Sequence, residues 1–122
     1  MINNTLVIRV EGRELILAAG DLPTSGSRGC DSCIFLFSGD EWAGLEKSVV
    51  FWQHEDIRYE LPMSRFDTCD LPDEAISEDG CLNIGLIGRS GGVFQNSKPL
   101  CLPLVRGTRE GNVIPMIRGD AA

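Results

Sequence analysis

Five cysteines are the residues of this sequence with the strongest potential for chemistry. The segment Cys30-Asp31-Ser32-Cys33 is a CxxC motif, which is found in zinc sites and in redox pairs. A structural zinc site needs a second pair of ligands at close spacing, but the remaining cysteines are scattered along the chain. A redox CxxC is expected beside a βαβ pattern, and the sequence has none. We therefore expect the cysteines to pack as small hydrophobes, without a metal or cofactor: Cys30, Cys33, Cys69, Cys81 and Cys101.

The single histidine, His54, is the one candidate for a catalytic base. It lies in the polar segment Gln53-His54-Glu55-Asp56, which is typical of a hairpin loop. A solvated loop histidine is the simpler interpretation. The sequence therefore predicts no catalytic residue and a protein that is not an enzyme.

A group of carboxylates follows in the second half of the chain. Paired carboxylates can bind calcium or hydrolyse glycosides, but the spacing here lacks the alternating ligands of a calcium loop. We expect a solvated turn in which acidic residues precede a short helical turn over 73–77. The carboxylates are Asp67, Asp70, Asp73, Glu74, Glu78 and Asp79.

Two further sequence patterns do not indicate a binding site. The glycines 85, 88, 91 and 92 do not form a phosphate-binding motif. The triplet Arg118-Gly119-Asp120 matches an integrin-recognition sequence, which we interpret as chance.

Length, composition and charge exclude several classes of protein. The chain has 122 residues, 43% of them hydrophobic, which is typical of one globular domain rather than a disordered segment. No apolar run approaches the roughly 18 residues of a membrane-spanning helix. The formal net charge of −7 argues against a nucleic-acid partner. The start of the chain, Met1–Leu6, lacks the features of a signal peptide, so we expect the protein to remain in the cytoplasm where it is made.

Short apolar runs of period two dominate the sequence and predict an all-β, Ig-like antiparallel β-sandwich of about eight or nine short strands with one short helical turn. The domain is predicted over 1–106, and 107–122 is predicted to be a mobile C-terminal arm or linker. Pro103 indicates an edge position for the last strand, because proline cannot donate to a neighbour. The predicted strands are 5–10, 14–19, 33–37, 47–53, 57–61, 66–71, 81–88 and 100–105.

Two of these strands, 33–37 and 49–52, are apolar on both faces, which is more apolar surface than a two-layer sandwich can cover. The excess is either covered by local loops or used as an oligomer contact. Trp42, on a turn between two strands, is placed to close one end of the sandwich with its N–H bonded to a carbonyl. Pro72 ends a strand, and Glu74 is placed to cap the helical turn that follows.

Three motifs occur in a specific order. The first is the turn Glu41-Trp42-Ala43-Gly44-Leu45-Glu46-Lys47 between two strands. The second is Cys69-Asp70-Leu71-Pro72-Asp73-Glu74-Ala75-Ile76, and the third is the strand Gly80-Cys81-Leu82-Asn83-Ile84-Gly85-Leu86-Ile87-Gly88. Over about residues 31–105 this order resembles the N-terminal β-sandwich domains of phage and prophage tail or baseplate proteins, such as baseplate upper proteins and tail-fibre-like proteins.

The resemblance implies a non-enzymatic virion structural protein, assembled in the bacterial host cytoplasm, that docks on other virion proteins and on copies of itself. Family members often continue into long fibre segments, whereas this chain ends after a short tail. The alternative is a carbohydrate- or receptor-binding sandwich in which Trp42, Trp52 or Tyr59 stacks on sugars. The prevalence of aromatics inside apolar runs favours assembly.

Overall fold

A computed structural model describes residues 3–108, 114 and 116 and confirms an all-β sandwich. In this part of the chain nine strands form two sheets, and one turn of 3-10 helix lies outside both sheets. The strands are β1 (Asn4–Glu11), β2 (Glu14–Ala19), β3 (Asp31–Phe37), β4 (Glu46–His54), β5 (Ile57–Pro62), β6 (Thr68–Asp70), β7 (Cys81–Ser90), β8 (Val93–Asn96) and β9 (Leu100–Pro103), and the 3-10 turn is Asp73–Ile76.

The first sheet has the strand order β2-β1-β3-β6. β1 pairs antiparallel with β2 through a tight turn at Gly12, whose φ of 61° suits glycine. β1 also pairs with β3, and this pairing is parallel, so the sheet is mixed rather than purely antiparallel as the sequence predicted. The reason is the long connection over 20–30, which returns the chain to the start of β1 before β3 begins.

The second sheet has the order β5-β4-β7-β8, and β9 pairs with the first half of β7. β9 therefore has one bonded neighbour, and the edge position predicted from Pro103 is confirmed. β8 was not predicted, because its sequence Val-Phe-Gln-Asn follows a glycine-rich turn and is only four residues long. It pairs with the second half of β7.

The hydrophobic core lies between the sheets and follows the alternation of the strands. Every second residue of β1, β3, β4 and β7 points inward, and most of these side chains are less than 2% exposed, although Phe37 at the end of β3 is only partly buried. The core side chains from these strands are Leu6, Ile8, Val10, Phe35, Val49, Phe51, Leu82, Ile84 and Leu86.

Trp42 closes one end of the sandwich, as the sequence predicted. Its ring is 2% exposed, and its Nε1–H donates to the Gly12 carbonyl oxygen at 2.7 Å. This bond joins the β3–β4 connection to the β1–β2 turn. Leu45 and the backbone of Gly88 pack against the same ring, since a Cβ on Gly88 would lie 2.7 Å from Leu45 and 3.2 Å from Trp42.

The 3-10 turn corrects a detail of the prediction. Pro72 lies between the end of β6 and the start of the 3-10 turn. No side chain forms a capping hydrogen bond at the start of this turn, so Glu74 does not have its predicted capping role. Asp73 instead accepts a hydrogen bond from the Gly29 backbone N–H at 3.0 Å. The acidic side chain therefore holds the loop before β3.

The chain after β9 is fastened to the connection between β2 and β3. Ser25 is 2% exposed, and its Oγ donates to Asp79 at 2.5 Å and accepts from the Gly107 backbone N–H at 3.0 Å. Ser25 N–H also bonds the Val105 carbonyl oxygen at 2.8 Å. Most of the predicted arm over 107–122, including Arg118-Gly119-Asp120, lies outside the described residues.

Candidate functional site

The outer face of the first sheet exposes apolar side chains. Arg9 at the centre of β1 lies opposite Ile16 on β2 and Leu36 on β3, which forms a row across three strands. Ile16 is 38% exposed and Leu36 48% exposed. In the neighbouring row Val7 lies opposite Ile34, and both are half-buried. We call these five residues the open face.

The open face answers one of the questions left by the sequence. For the strand 33–37 the sequence left open whether local loops or an oligomer contact cover its outer side, and the exposure of Leu36 shows that the described local loops do not cover it. The charge on the face is balanced, because Arg9 lies 2.9 Å from the Glu11 carboxylate at its edge. The open face is thus a surface on which exposed aliphatic side chains flank the salt-bridged Arg9.

On the outer face of the second sheet, in contrast, the apolar side chains are largely covered. Val50 and Trp52 on β4 point outward, yet each is only 8% exposed. The guanidinium of Arg58 on β5 covers the Trp52 ring at 4.8 Å from its centroid. Here the second apolar face is covered by a neighbouring side chain of the same molecule.

A cleft of about 520 Å³ lies on this second outer face. Val50, Trp52 and Gly85 form its floor, and the glycine leaves room beside the indole, since a Cβ there would lie 3.5 Å from Trp52. Phe94 and Asn96 of β8 line one side. Because β8 was not predicted, the cleft was not foreseen.

A salt bridge lies at the rim of the cleft. Arg89 donates from both terminal nitrogens to Glu60, at 2.8 and 3.3 Å, and its guanidinium lies 5.6 Å from the Phe94 ring centroid. The hydrogen bond from Arg89 holds the pKa of Glu60 below its ordinary value. The bridge spans β4 and fixes the edge strand β5 to β7.

The three aromatics proposed for sugar stacking lie in different environments. Trp42 is buried in the core, and Tyr59 packs against the core from the inner side of β5, so neither presents a ring to a ligand in the outer cleft. Trp52 alone of the three lines the cleft, with Arg58 on its face. The structure therefore corrects the prediction for Trp42 and Tyr59.

The cysteines divide into two kinds. Cys33 and Cys69 lie opposite each other on β3 and β6 and are buried, as expected for small hydrophobes. Burial raises the pKa of both thiols, that of Cys69 to about 11. Cys30 precedes β3, and its thiol contacts the Arg28 carbonyl oxygen at 3.1 Å. The CxxC therefore places one cysteine at the surface and the other in the core.

Cys81 and Cys101 are exposed, so the expectation of core packing is wrong for these two. Cys81 lies opposite Pro103 and Cys101 opposite Asn83, which puts both cysteines on the outer side of the β7–β9 pair, on a diagonal. The interaction with Cys81 is the main cause that raises the pKa of the Cys101 thiol. Strand alternation would have revealed the pair only if the register of β9 were known.

His54 is the last residue of β4 rather than a residue of the hairpin loop. It is exposed, and its Nε2 lies 3.0 Å from the Glu78 carboxylate. Gln53 beside it also bonds the backbone of Glu78, at 2.8 and 3.1 Å. These contacts tie the end of β4 to the segment before β7, which is a structural role.

The predicted carboxylates are divided between separate contacts and one hollow. Glu78 pairs with His54 and Asp79 with Ser25, while Asp67 occupies a turn with a φ of 60°. Asp31, Asp70, Asp73 and Glu74 line a shallow hollow. Within the described residues, no group of three or more His, Cys, Asp or Glu side chains is placed to hold a metal ion.

The described part of the chain has no helix with the length and apolar character needed to cross a membrane. No model of a known protein family matches the sequence, and no curated protein matches it.

Proposed function

We propose that this chain is a non-enzymatic structural module of a phage or prophage tail or baseplate, and that it docks through the open face. The observation that carries the proposal is the exposure of Leu36 and Ile16 on either side of Arg9 in one row of the sheet. Exposed aliphatic side chains on a sheet lose unfavourable contact with water when a second surface covers them. Other virion proteins and copies of the same chain are the proposed partners.

The resemblance to tail and baseplate domains supports this proposal through the roles of its motif residues. Trp42 closes one end of the sandwich, and Leu71 and Ile76 are buried in the core. The backbone of Gly88 packs closely against Leu45 and Trp42. The motifs thus specify a fold rather than a reaction. Such a signature suits a protein whose function is to present surfaces in an assembly within the host cytoplasm and then in the virion.

Self-association through the open face is tested by light scattering over a concentration series. A monomer has a mass of 13.3 kDa, and we expect a mass of at least twice that value at high concentration. The variant Leu36→Lys should return the mass to that of the monomer, because a lysine ammonium on each copy would be desolvated at the contact. Leu36 is 48% exposed, so the fold tolerates the substitution.

Ile57→Lys is the matched control, because Ile57 is 51% exposed and lies on β5 of the other sheet. It should associate as the parent does. A parent that stays monomeric at every concentration would refute self-docking, and equal loss in both variants would refute the assignment to the open face.

A carbohydrate- or receptor-binding module is the second candidate, and the cleft beside Trp52 favours it. An indole next to an amide and charged groups is a common arrangement for sugars, and Asn96, Glu60 and Arg58 line the same cleft. Arg58, however, already stacks on the indole. A sugar would have to displace the guanidinium or bind beside it.

Titration calorimetry with a panel of neutral oligosaccharides separates this candidate from the first. Binding that is lost in Asn96→Ala and strengthened in Arg58→Ala would support the cleft as a sugar site. Binding that is unchanged in Asn96→Ala, or no binding by either the parent or Arg58→Ala, would remove the candidate.

A further inference from the structure

Cys81 and Cys101 are far apart in sequence but adjacent on the outer side of one strand pair. The register places Leu82 opposite Leu102, and both leucines are buried, so the flanking cysteines of each strand point away from the core. Both cysteines are exposed, whereas Cys33 and Cys69 are buried. The two side chains are close enough for Cys81 to raise the pKa of the Cys101 thiol.

We propose that Cys81 and Cys101 are a thiol–disulfide modification site, which closes to an intramolecular disulfide between β7 and β9 in the presence of a disulfide oxidant. The proposal stands on the shared face, the diagonal register and the exposure of both sulfurs. It is independent of the proposed function.

The geometry requires a small movement that the topology permits. Diagonal neighbours in an antiparallel pair have Cα atoms about 7–8 Å apart, while a disulfide usually joins Cα atoms about 4.4–6.8 Å apart. The two Cα atoms must therefore come closer by about 1 Å, through a local twist or slide of β9 along β7. β9 is bonded on one side only and has four residues, so it can shift without breaking a second row of strand pairing.

The reaction proceeds by two thiol–disulfide exchanges with oxidised glutathione as the oxidant. The thiolate of one cysteine of the pair attacks one glutathione sulfur, forms a mixed disulfide and releases one glutathione thiolate. The other cysteine then loses its proton, attacks the protein sulfur of the mixed disulfide and releases the second glutathione thiolate. Two cysteines are oxidised and one oxidised glutathione is reduced to two reduced glutathione molecules.

The experiment incubates the full chain with a series of glutathione redox buffers, blocks free thiols by alkylation, and maps the cysteine peptides by mass spectrometry. We expect the peptides of Cys81 and Cys101 to be linked to each other in a monomeric chain, with a loss of two hydrogens. Cys33 and Cys69 are internal controls that should react only after unfolding, because they are buried.

Cys81→Ser and Cys101→Ser each leave a lone exposed thiol, which should accumulate as a mixed disulfide with glutathione. Cys30→Ser is the matched control, because it removes a partly exposed cysteine outside the pair and should leave the internal link unchanged. Two separate glutathione adducts on the parent, a link between two chains, or free thiols at both positions would overturn the proposal.

A second readout follows the effect of the link on the fold. The oxidised parent should melt at a higher temperature than the reduced parent, and dithiothreitol should reverse the shift, because the link restricts the unfolded chain over residues 81–101. Neither serine variant should show a redox-dependent shift. An oxidised parent that melts at or below the reduced one would contradict a link that the native strands can accept.

Discussion

Trp42 joins three parts of the molecule through one side chain. Its ring fills the end of the core, and its N–H reaches the Gly12 carbonyl in the β1–β2 turn. A buried indole gains both from burial of its large apolar surface and from the satisfied donor. Removal of the ring therefore opens a cavity and releases a turn.

Trp42→Ala should lower the free energy of unfolding by about 3–5 kcal/mol, because the lost contacts and the cavity both destabilise the native state. Denaturant unfolding followed by circular dichroism measures the change. Phe66→Ala is the control, since that ring is 69% exposed, and it should stay within about 0.5 kcal/mol of the parent. Equal losses in both variants would contradict the role given to Trp42.

The salt bridge of Glu60 predicts how the stability of the fold depends on pH. The hydrogen bond from Arg89 lowers the pKa of Glu60 in the folded protein below its ordinary value of 4.5. The unfolded chain then binds the proton more readily, so this pair stabilises the fold above that value and the contribution is lost as the pH falls below it. The effect is small, because both side chains are partly exposed to solvent.

Glu60→Gln should make the decline of unfolding free energy between about pH 5 and pH 3 shallower than in the parent. Urea unfolding at a series of pH values gives the slope. Glu74→Gln, at another exposed position, serves as the control. A parent and a Glu60→Gln variant with parallel pH profiles would show that the salt bridge has no effect on stability.

At the scale of the elements, β7 is the strand that organises the second sheet. It pairs with β4 along its length and with β8 and β9 on the other side. Gly85 and Gly88 differ in the space around them. A Cβ on Gly88 would collide with Leu45 at 2.7 Å, whereas one on Gly85 would make ordinary contact with Trp52 at 3.5 Å.

Gly88→Ala should therefore destabilise the protein by about 1–3 kcal/mol, because Leu45 and the tryptophan turn must move. Gly85→Ala is the matched substitution in the same strand and should cost less than about 0.5 kcal/mol. Thermal unfolding of the two variants checks the difference. A larger loss for Gly85→Ala would contradict the packing described for β7.

The elements also show which parts of the fold were accessible from sequence. Alternation identified β1 and β7 and the edge position of β9, because period-two patterns and Pro103 are local signals. The parallel pairing of β1 with β3 depends on the course of a loop, which no local pattern reports. β8 was missed because its four residues are largely exposed and do not alternate with a buried face.

The candidate surfaces were only partly predictable for the same reason. The excess of apolar residues in β3 and β4 was visible, but only the structure shows that Arg58 covers Trp52 while Leu36 stays exposed. Likewise, the diagonal between Cys81 and Cys101 depends on a strand register that composition does not encode.

At the scale of the whole molecule, charge opposes the proposed self-association. The chain has 18 acidic and 11 basic residues, so two copies repel each other at neutral pH. The open face itself is nearly neutral, because Arg9 is paired with Glu11. Salt should screen the repulsion between the molecules more than it weakens the aliphatic contact.

Association of the parent should consequently strengthen as NaCl rises from about 50 mM to 500 mM, where the Debye length falls from more than 10 Å to a few ångströms. Sedimentation velocity at fixed protein concentration measures the change. Association that weakens with salt would show that ion pairs, rather than the aliphatic row, hold the copies together.

The hydrogen bond between Ser25 and Gly107 helps to determine where the chain leaves the sandwich. Asn4, at the start of β1, bonds Asp21 in both directions, at 2.7 and 3.0 Å, and Ser25 in the same connection holds Val105 and Gly107. The chain thus enters and leaves the sandwich at one pole, while Trp42 and the β1–β2 turn close the other. A domain whose chain enters and leaves at one pole can be attached to an assembly there, while its far pole and both sheets stay clear of the attachment.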